Sequence, residues 1–198
     1  MPNEEQKALD RELKLNQVYL AIISRYKDVI EEREHLSVAE LPTLITPKGE
    51  HITRKAEEIK SSFGIYSYKT NFYEASVDAF YFVRNNIADA AMPIQFWLSP
   101  EETMGFGIGD LLDRNTLLCS LLVALGNPST RVLVVIRDSG RRVVTYYEFE
   151  GKAYSFDLMD LSHGFKSHES RAALVRSLGL AEEDTAYEFN DNTYQDIG

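Results

Sequence analysis

Apolar positions recur at helical spacing through the first part of the chain, then change to short unbroken runs and alternation in the last third. Leu9, Leu13, Leu20, Ile23 and Ile30 repeat at helical intervals with charges between them, which predicts one long helix from about Glu4 to His35. LPTLITPKGEH (41–51) interrupts that pattern with two prolines and a glycine, and a second helix is expected from near Glu50 to Phe63. SFGIYSYKTNFYE (62–74) is aromatic and irregular, and its tyrosines read as edge packing rather than ligand stacking. A third helix follows in YEASVDAFYFVRNNI (73–87), with Val77, Phe80, Val83 and Ile87 on one side.

AMPIQFWLSPEETMGFGIG (91–109) reads as a loop with a short helical turn after Ser99. Ser99 suits the N-cap, Pro100 the first helical position, and Glu102 completes a capping box. A central helix is then predicted from Leu111 to Leu125, closed by Gly126 and Pro128. Beyond it RVLVVI (131–136) is a continuous apolar run, as in a strand covered on both faces. DSG (138–140) and EG (150–151) are turns that join it to RRVVTYYEFE (141–150) and KAYSFDL (152–158) as an antiparallel meander. SHESRAALVRSLGL (167–180) suggests a short helix capped by Ser167 or Ser170, and TAYEFNDNTYQDIG (185–198) suggests one more strand. The expected class is α+β, a central helix packed on an antiparallel sheet. A helical extension over 1–70 would precede a core domain over 71–198, the two forming one compact unit.

Composition narrows the function classes. The 198 residues carry 31 acidic against 21 basic side chains, a formal charge of −10 with no clustered Lys/Arg stripe. That argues against nucleic acid and against an anionic membrane surface as partners, and leaves a protein or peptide partner. A single cysteine rules out an internal disulfide framework and makes a reducing cytoplasm the expected location. The charged start MPNEEQKALDRELK lacks the apolar core of a signal peptide, and no apolar run reaches bilayer length. Oligomeric state is left open at this level.

One stretch carries chemistry. VRNNI (83–87), SPEETMGFGIGDLLDRNTLLCSLLVALGNPSTRVLVVI (99–136) and YYEFEGKAYSFDL (146–158) together resemble the transglutaminase-like superfamily, which has the papain-like fold. Its core reads G-D-C-x-D, a helix rich in Leu and Ala, ALG-x-P-x-R and a strand, then a strand bearing His, then DGKWY-x-x-D. The likeness spans about Val77 to Asp157, and the prolines and helices upstream are similar to archaeal members. In that family a cysteine in the first turn of the central helix gains thiolate character from the positive helix end. A strand histidine moves the proton, and an aspartate on the next strand orients it. Here the cysteine position is Leu111, and the histidine position is Arg142, or Val143 or Val144 within a residue or two. The acid remains as Asp157. The resemblance thus implies the fold and denies the family's chemistry, because a leucine neither ionises nor attacks a carbonyl.

At each remaining candidate a chemical role competes with a packing role. Cys119 lies eight residues beyond Leu111 among apolar neighbours and reads as a core residue. The histidines are His35, His51, His163 and His168; Asp157, Asp160 and His163 at i, i+3, i+6 could in principle share a metal, or cap turns. Asp110 and Asp113 are either an acid/base pair or helix caps that meet the dipole. Asp157 could pair with Arg142 across the sheet. GFGIG lacks the spacing of a nucleotide loop and reads as a tight approach to the helix. Trp97 is either core or, as in relatives of the superfamily, a cleft wall, with Asp110 and Asp113 as its neighbours in such a cleft. The apolar stripe of the first helix is either a partner surface or the face packed on its own core. The favoured reading is a catalytically inactive domain that binds a protein or peptide or scaffolds a complex, with no metal or cofactor implied. The alternative is a hydrolase of another class using Asp157, Asp160 and His163 with a metal or water.

Overall fold

The computed structural model describes residues 4–33, 38–90, 97–160 and 162–197; His35 lies outside them. Among the described residues six α-helices and eight strands follow in the order α1 (Glu4–Arg33), α2 (Glu50–Ser61), α3 (Tyr68–Asn86), β1 (Ala88–Asp89), α4 (Pro100–Phe106), β2 (Ile108–Gly109), α5 (Leu111–Ala124), β3 (Arg131–Arg137), β4 (Gly140–Phe149), β5 (Lys152–Phe156), β6 (Phe165–His168), α6 (Arg171–Ser177), β7 (Thr185–Phe189) and β8 (Tyr194–Asp196). A short 3-10 segment, Val38–Leu44, sits between α1 and α2. The class is α+β, with a central helix packed on an antiparallel sheet and helices preceding it.

The sheet has six strands in the order β6-β5-β4-β3-β7-β8, every pair antiparallel. Side-chain alternation gives it two covered faces. Val132, Val134, Val143, Tyr187 and Phe189 pack with Leu112 and Cys119 of α5. Tyr147 and Phe156 continue that face onto Phe72, Phe80 and Val83 of α3. Leu133, Val135, Val144, Tyr146, Ala153 and Ala186 turn the other way, onto Leu174 and Leu178 around α6. The unbroken apolar run of β3 is therefore explained by cover on both sides. α5 is buried from Leu112 to Leu122, polar residues included, as a helix enclosed by sheet and helices must be. Ile52, Ala56 and Ile59 of α2 enter the same core as Leu117, Leu118, Leu121 and Leu122 of α5.

Several elements differ from the sequence expectation, among them the short parallel pair β1 and β2, which falls where a helix end and a loop were expected. α3 begins at Tyr68, inside the segment read as irregular, because Tyr68 and Phe72 find ring partners in Phe149 and Tyr147. The segment 165–168, partly read as helix, is instead the edge strand β6 paired to β5, so α6 starts at Arg171 with the Ser170 hydroxyl accepting from Ala173 N–H. The tail supplies two strands, β7 and β8.

The largest correction concerns α1. Leu9, Leu13, Leu20 and Ile23, the stripe read as either a partner surface or a face packed on its own core, are exposed. Val18 and Ile22 are buried instead, and with Leu15 they meet Ala90, Leu98 and Ile108. The side chain of Ile30 lies outside the described set. Among the described residues no helix is long and apolar enough to cross a membrane.

Candidate functional site

The start of α5 is assembled by a relay of caps. α4 opens with a full capping box: Ser99 Oγ accepts from Glu102 N–H, and the Glu102 carboxylate accepts from Ser99 N–H at 3.1 Å. It closes on Gly107, whose φ of 67° is the left-handed cap conformation that glycine adopts without strain. Gly109 then passes so close to α5 that a Cβ there would sit 2.9 Å from Asp113 Cβ. The glycine-rich GFGIG is thus a helix stop followed by a close approach.

Asp110 is the N-cap of α5. Its Oδ1 accepts from Leu112 N–H at 2.7 Å and Asp113 N–H at 2.9 Å. Asp113 answers as the second half of a capping box, its Oδ2 accepting from Asp110 N–H at 2.9 Å. Its Oδ1 accepts from Leu98 N–H at 2.9 Å, which ties the loop beside Trp97 to the helix start. Arg141, the neighbour of Arg142, completes the cluster with an ion pair to Asp110 Oδ2 at 3.0 Å. Burial first, and then the Asp110 carboxylate, push the Asp113 carboxyl up to about 8, against the two N–H donors and Arg141. The two carboxyl groups here act as caps, and each of their oxygens has a bonded partner.

Leu111 is the first residue of α5. It is half-buried and packs between the two core clusters on either side of the helix, in the same apolar group as Trp97, Leu112 and Val143. Trp97 is half-buried in that group. Of the three positions considered for a base, Val143 is the one packed on the α5 side, while Val144 packs toward α6. Arg142 donates to Asp157 Oδ2 at 3.0 Å, an ion pair across the sheet. Asp157 also accepts from Met159 N–H at 3.0 Å. One turn further along α5, Thr145 Oγ1 donates to Asn115 Oδ1 at 2.9 Å and Asn115 Nδ2 donates to the Leu111 carbonyl. The residues beside the helix start therefore present hydrocarbon and paired charges.

The remaining candidates are spread through the fold. Cys119 is fully buried, and burial pushes its thiol far above the usual range. Asp160 is a turn cap, accepting from Ser162 N–H, Ser162 Oγ and His163 N–H and pairing with Lys166 at 3.3 Å. Those bonds hold it well below the usual carboxylate range. Among the described residues no three His, Cys, Asp or Glu side chains converge as metal ligands. His51 lies beside Glu101, whose carboxylate caps α2 from another helix. His168 Nε2 is 3.0 Å from Ser155 Oγ, and burial lowers its pKa.

Two groups escaped sequence reasoning. Arg141 was overshadowed by Arg142, and only the pairing of β4 sends it to Asp110. Glu188 of β7 is buried on the α6 face, where Tyr146 donates to it at 2.7 Å and Arg171 pairs with it at 3.0 Å. An alternating strand TAYEF carries a hint, since a glutamate there faces the same side as the buried Ala186.

No protein-family model matches the chain, and no curated protein does. Solved structures do overlap with it. Legionella pneumophila LapG in its calcium-bound form is 16% identical, with a TM-score of 0.43, over 73% of this chain and 87% of LapG. The EGTA-treated form gives 16% identity and 0.44, over 75% and 85%. A protein of Parabacteroides distasonis ATCC 8503, provisionally described as a protease, gives 17% and 0.49, over 79% of this chain and 30% of its own. The α+β assignment stands on the elements described above, independently of these overlaps.

Proposed function

We propose that the chain is a catalytically silent domain of transglutaminase-like, papain-like architecture that binds a protein or peptide or scaffolds a complex in a reducing, cytoplasmic setting. A single observation carries the reading: the first residue of the central buried helix, where such a domain would hold its thiol, is Leu111. Its surroundings support the same reading. The position on β4 that faces α5 holds Val143, and Asp157 spends its charge on Arg142. Among the described residues the carboxyl groups nearest Leu111, those of Asp110 and Asp113, are engaged as helix caps.

The test is an assay of the full chain for amide hydrolysis and for transfer of glutamine or ester acyl groups to a primary amine. The expected result is no turnover above a heat-denatured control, and sustained turnover abolished by Leu111→Ala or Asp157→Ala would refute silence. Leu111→Cys supplies a second arm. Its thiol, half-buried and beside Asp110, is expected to alkylate slowly with iodoacetamide and to confer no transfer activity without a histidine on β4.

A further inference from the structure

One arginine of α5 is buried without being fully bonded. Arg114, about one turn beyond Leu111, is 4% exposed. Its Nε is buried and has no hydrogen-bond partner. Its acidic neighbour is Asp89 of β1, whose Oδ1 lies 3.4 Å from Arg114 Nη1. Burial disfavours the charged form of Arg114, Asp89 supports it, and a second guanidinium, Arg84 of α3, lies close enough to repel it. A buried guanidinium is destabilising unless its N–H groups and its charge are both matched. Asp89 supplies that match at one nitrogen and at long range.

Arg84 extends the cluster toward the sheet. Its Nη1 lies 3.2 Å from where a Cβ on Gly164 would stand, a point 3.0 Å from the Asp157 carbonyl oxygen. Arg142 pairs with the Asp157 carboxylate, and Arg141 with Asp110. Arg84, Arg114, Arg141 and Arg142 thus stand around the start of α5 against the carboxylates of Asp89, Asp110 and Asp157. The buried Asp113 adds no charge there at neutral pH, because it keeps its proton up to about 8. The local excess is positive in a chain whose formal charge is −10, which focuses an incoming anion on this spot.

We propose that Arg114 and Arg84 receive the carboxylate side chain of an acidic peptide, which displaces Asp89 from Arg114. The inference rests on the reading of the chain as a peptide-binding domain and names the chemistry of the peptide. Entry is through Asp89, whose side chain is 49% exposed against 5% for that of Arg114. The group now in place is a carboxylate, which sets the class of the newcomer. A guanidinium offers a carboxylate two parallel N–H donors. A peptide side chain free to turn can use the Nε edge that Asp89, fixed to a strand, leaves unbonded. A neutral amide of the same shape cannot offset the repulsion between two guanidiniums. Asp89 is therefore an internal competitor for the site.

Titration of the isotope-labelled full chain with an acetylated, amidated Gly-Glu-Glu-Gly peptide tests this, read by backbone and arginine Nε–H magnetic resonance shifts. The glutamyl peptide is expected to move the Arg114 Nε–H signal and those of β1, saturating with a Kd of about 0.1–5 mM, as for one or two charge-assisted contacts near the surface. The matching Gly-Gln-Gln-Gly peptide should move neither. Arg114→Gln should weaken binding at least about tenfold and Arg84→Gln about threefold. Asp89→Asn should tighten it several-fold, a gain that a purely structural ion pair would not give. If Arg114→Gln fails to fold, Arg84→Gln and Asp89→Asn decide. No saturation by about 20 mM overturns the proposal, as does an affinity indifferent to the two arginines or weakened by Asp89→Asn. Inorganic phosphate that moves the Arg114 signal while the glutamyl peptide does not would overturn the peptide assignment. Equal binding of the two peptides would leave peptide binding standing and remove the carboxylate. Turnover in the acyl-transfer assay would refute silence without touching this result.

Discussion

At the scale of single residues, Asp113 is the most informative. Buried and one turn from Asp110, it holds its proton up to about 8 in the fold against a carboxylate's ordinary 3.8. The folded state therefore binds the proton more tightly than the unfolded chain does. Its contribution to stability is fully present below pH 4, and it is lost as the pH rises toward about 8. Asp113→Asn removes that titration. The Asn side chain has one acceptor oxygen, so either Leu98 N–H or Asp110 N–H loses its partner, at a cost of about 1–3 kcal/mol. Urea unfolding from pH 4.5 to 8 should show the advantage of the parent over Asp113→Asn shrinking as pH rises. A difference independent of pH would mean that Asp113 is ionised throughout. Asp110→Ala, which strips an acceptor from two N–H groups and the Arg141 pair, is expected to cost about 1–2 kcal/mol near pH 4.5, and less as the pH rises, because the charge that raises Asp113 goes with it.

Elements show where local rules suffice and where they do not. Both capping boxes, at Ser99 and Asp110, could be written down from the sequence, since each needs only residues three apart and N–H groups of the same turn. Gly109 is different in kind. Nothing local demands a glycine there, yet α5 returns against it, and a Cβ would press on Asp113 Cβ at 2.9 Å and Thr103 Cγ2 at 3.1 Å. Gly109→Ala should therefore destabilise by roughly 1–3 kcal/mol through overpacking, measured by chemical denaturation. The same change at Gly105, where a Cβ meets nothing, should not destabilise. α1 makes the converse point. Periodicity identified a helix and an apolar stripe, but which of two apolar faces meets the body depends on Ala90, Leu98 and Ile108, three residues far away in the chain.

Across the whole molecule the sheet has a hydrophobic face on α5 and α3 and, on α6, a face with a charged knot at its middle. Glu188 of β7 joins Tyr146 of β4, Arg171 at the start of α6 and, at 3.6 Å, Arg131 of β3. The knot is asymmetric. Glu188 is buried, while Arg171 is partly open to water. Removing the arginine leaves a buried carboxylate short of a partner, whereas removing the carboxylate's charge strands no cation. Arg171→Ala is therefore expected to cost about 3 kcal/mol, and Glu188→Gln about 1 kcal/mol. Thermal or urea unfolding of the two variants should rank them in that order.

The helices, the three strands of the meander with their turns, the caps and the hydrocarbon at position 111 were legible in the amino-acid order, because each rests on interactions within a few residues or on the chemical nature of one side chain. The chain could not declare that 165–168 joins a sheet edge, that Arg141 rather than Arg142 reaches Asp110, or that Glu188 would be buried. Those outcomes follow from which strands lie side by side, and strand order is set by contacts between residues tens of positions apart. The outer face of α1 belongs to the same class: its apolar spacing is written in the sequence, and only the packing of the body on the opposite side leaves it open.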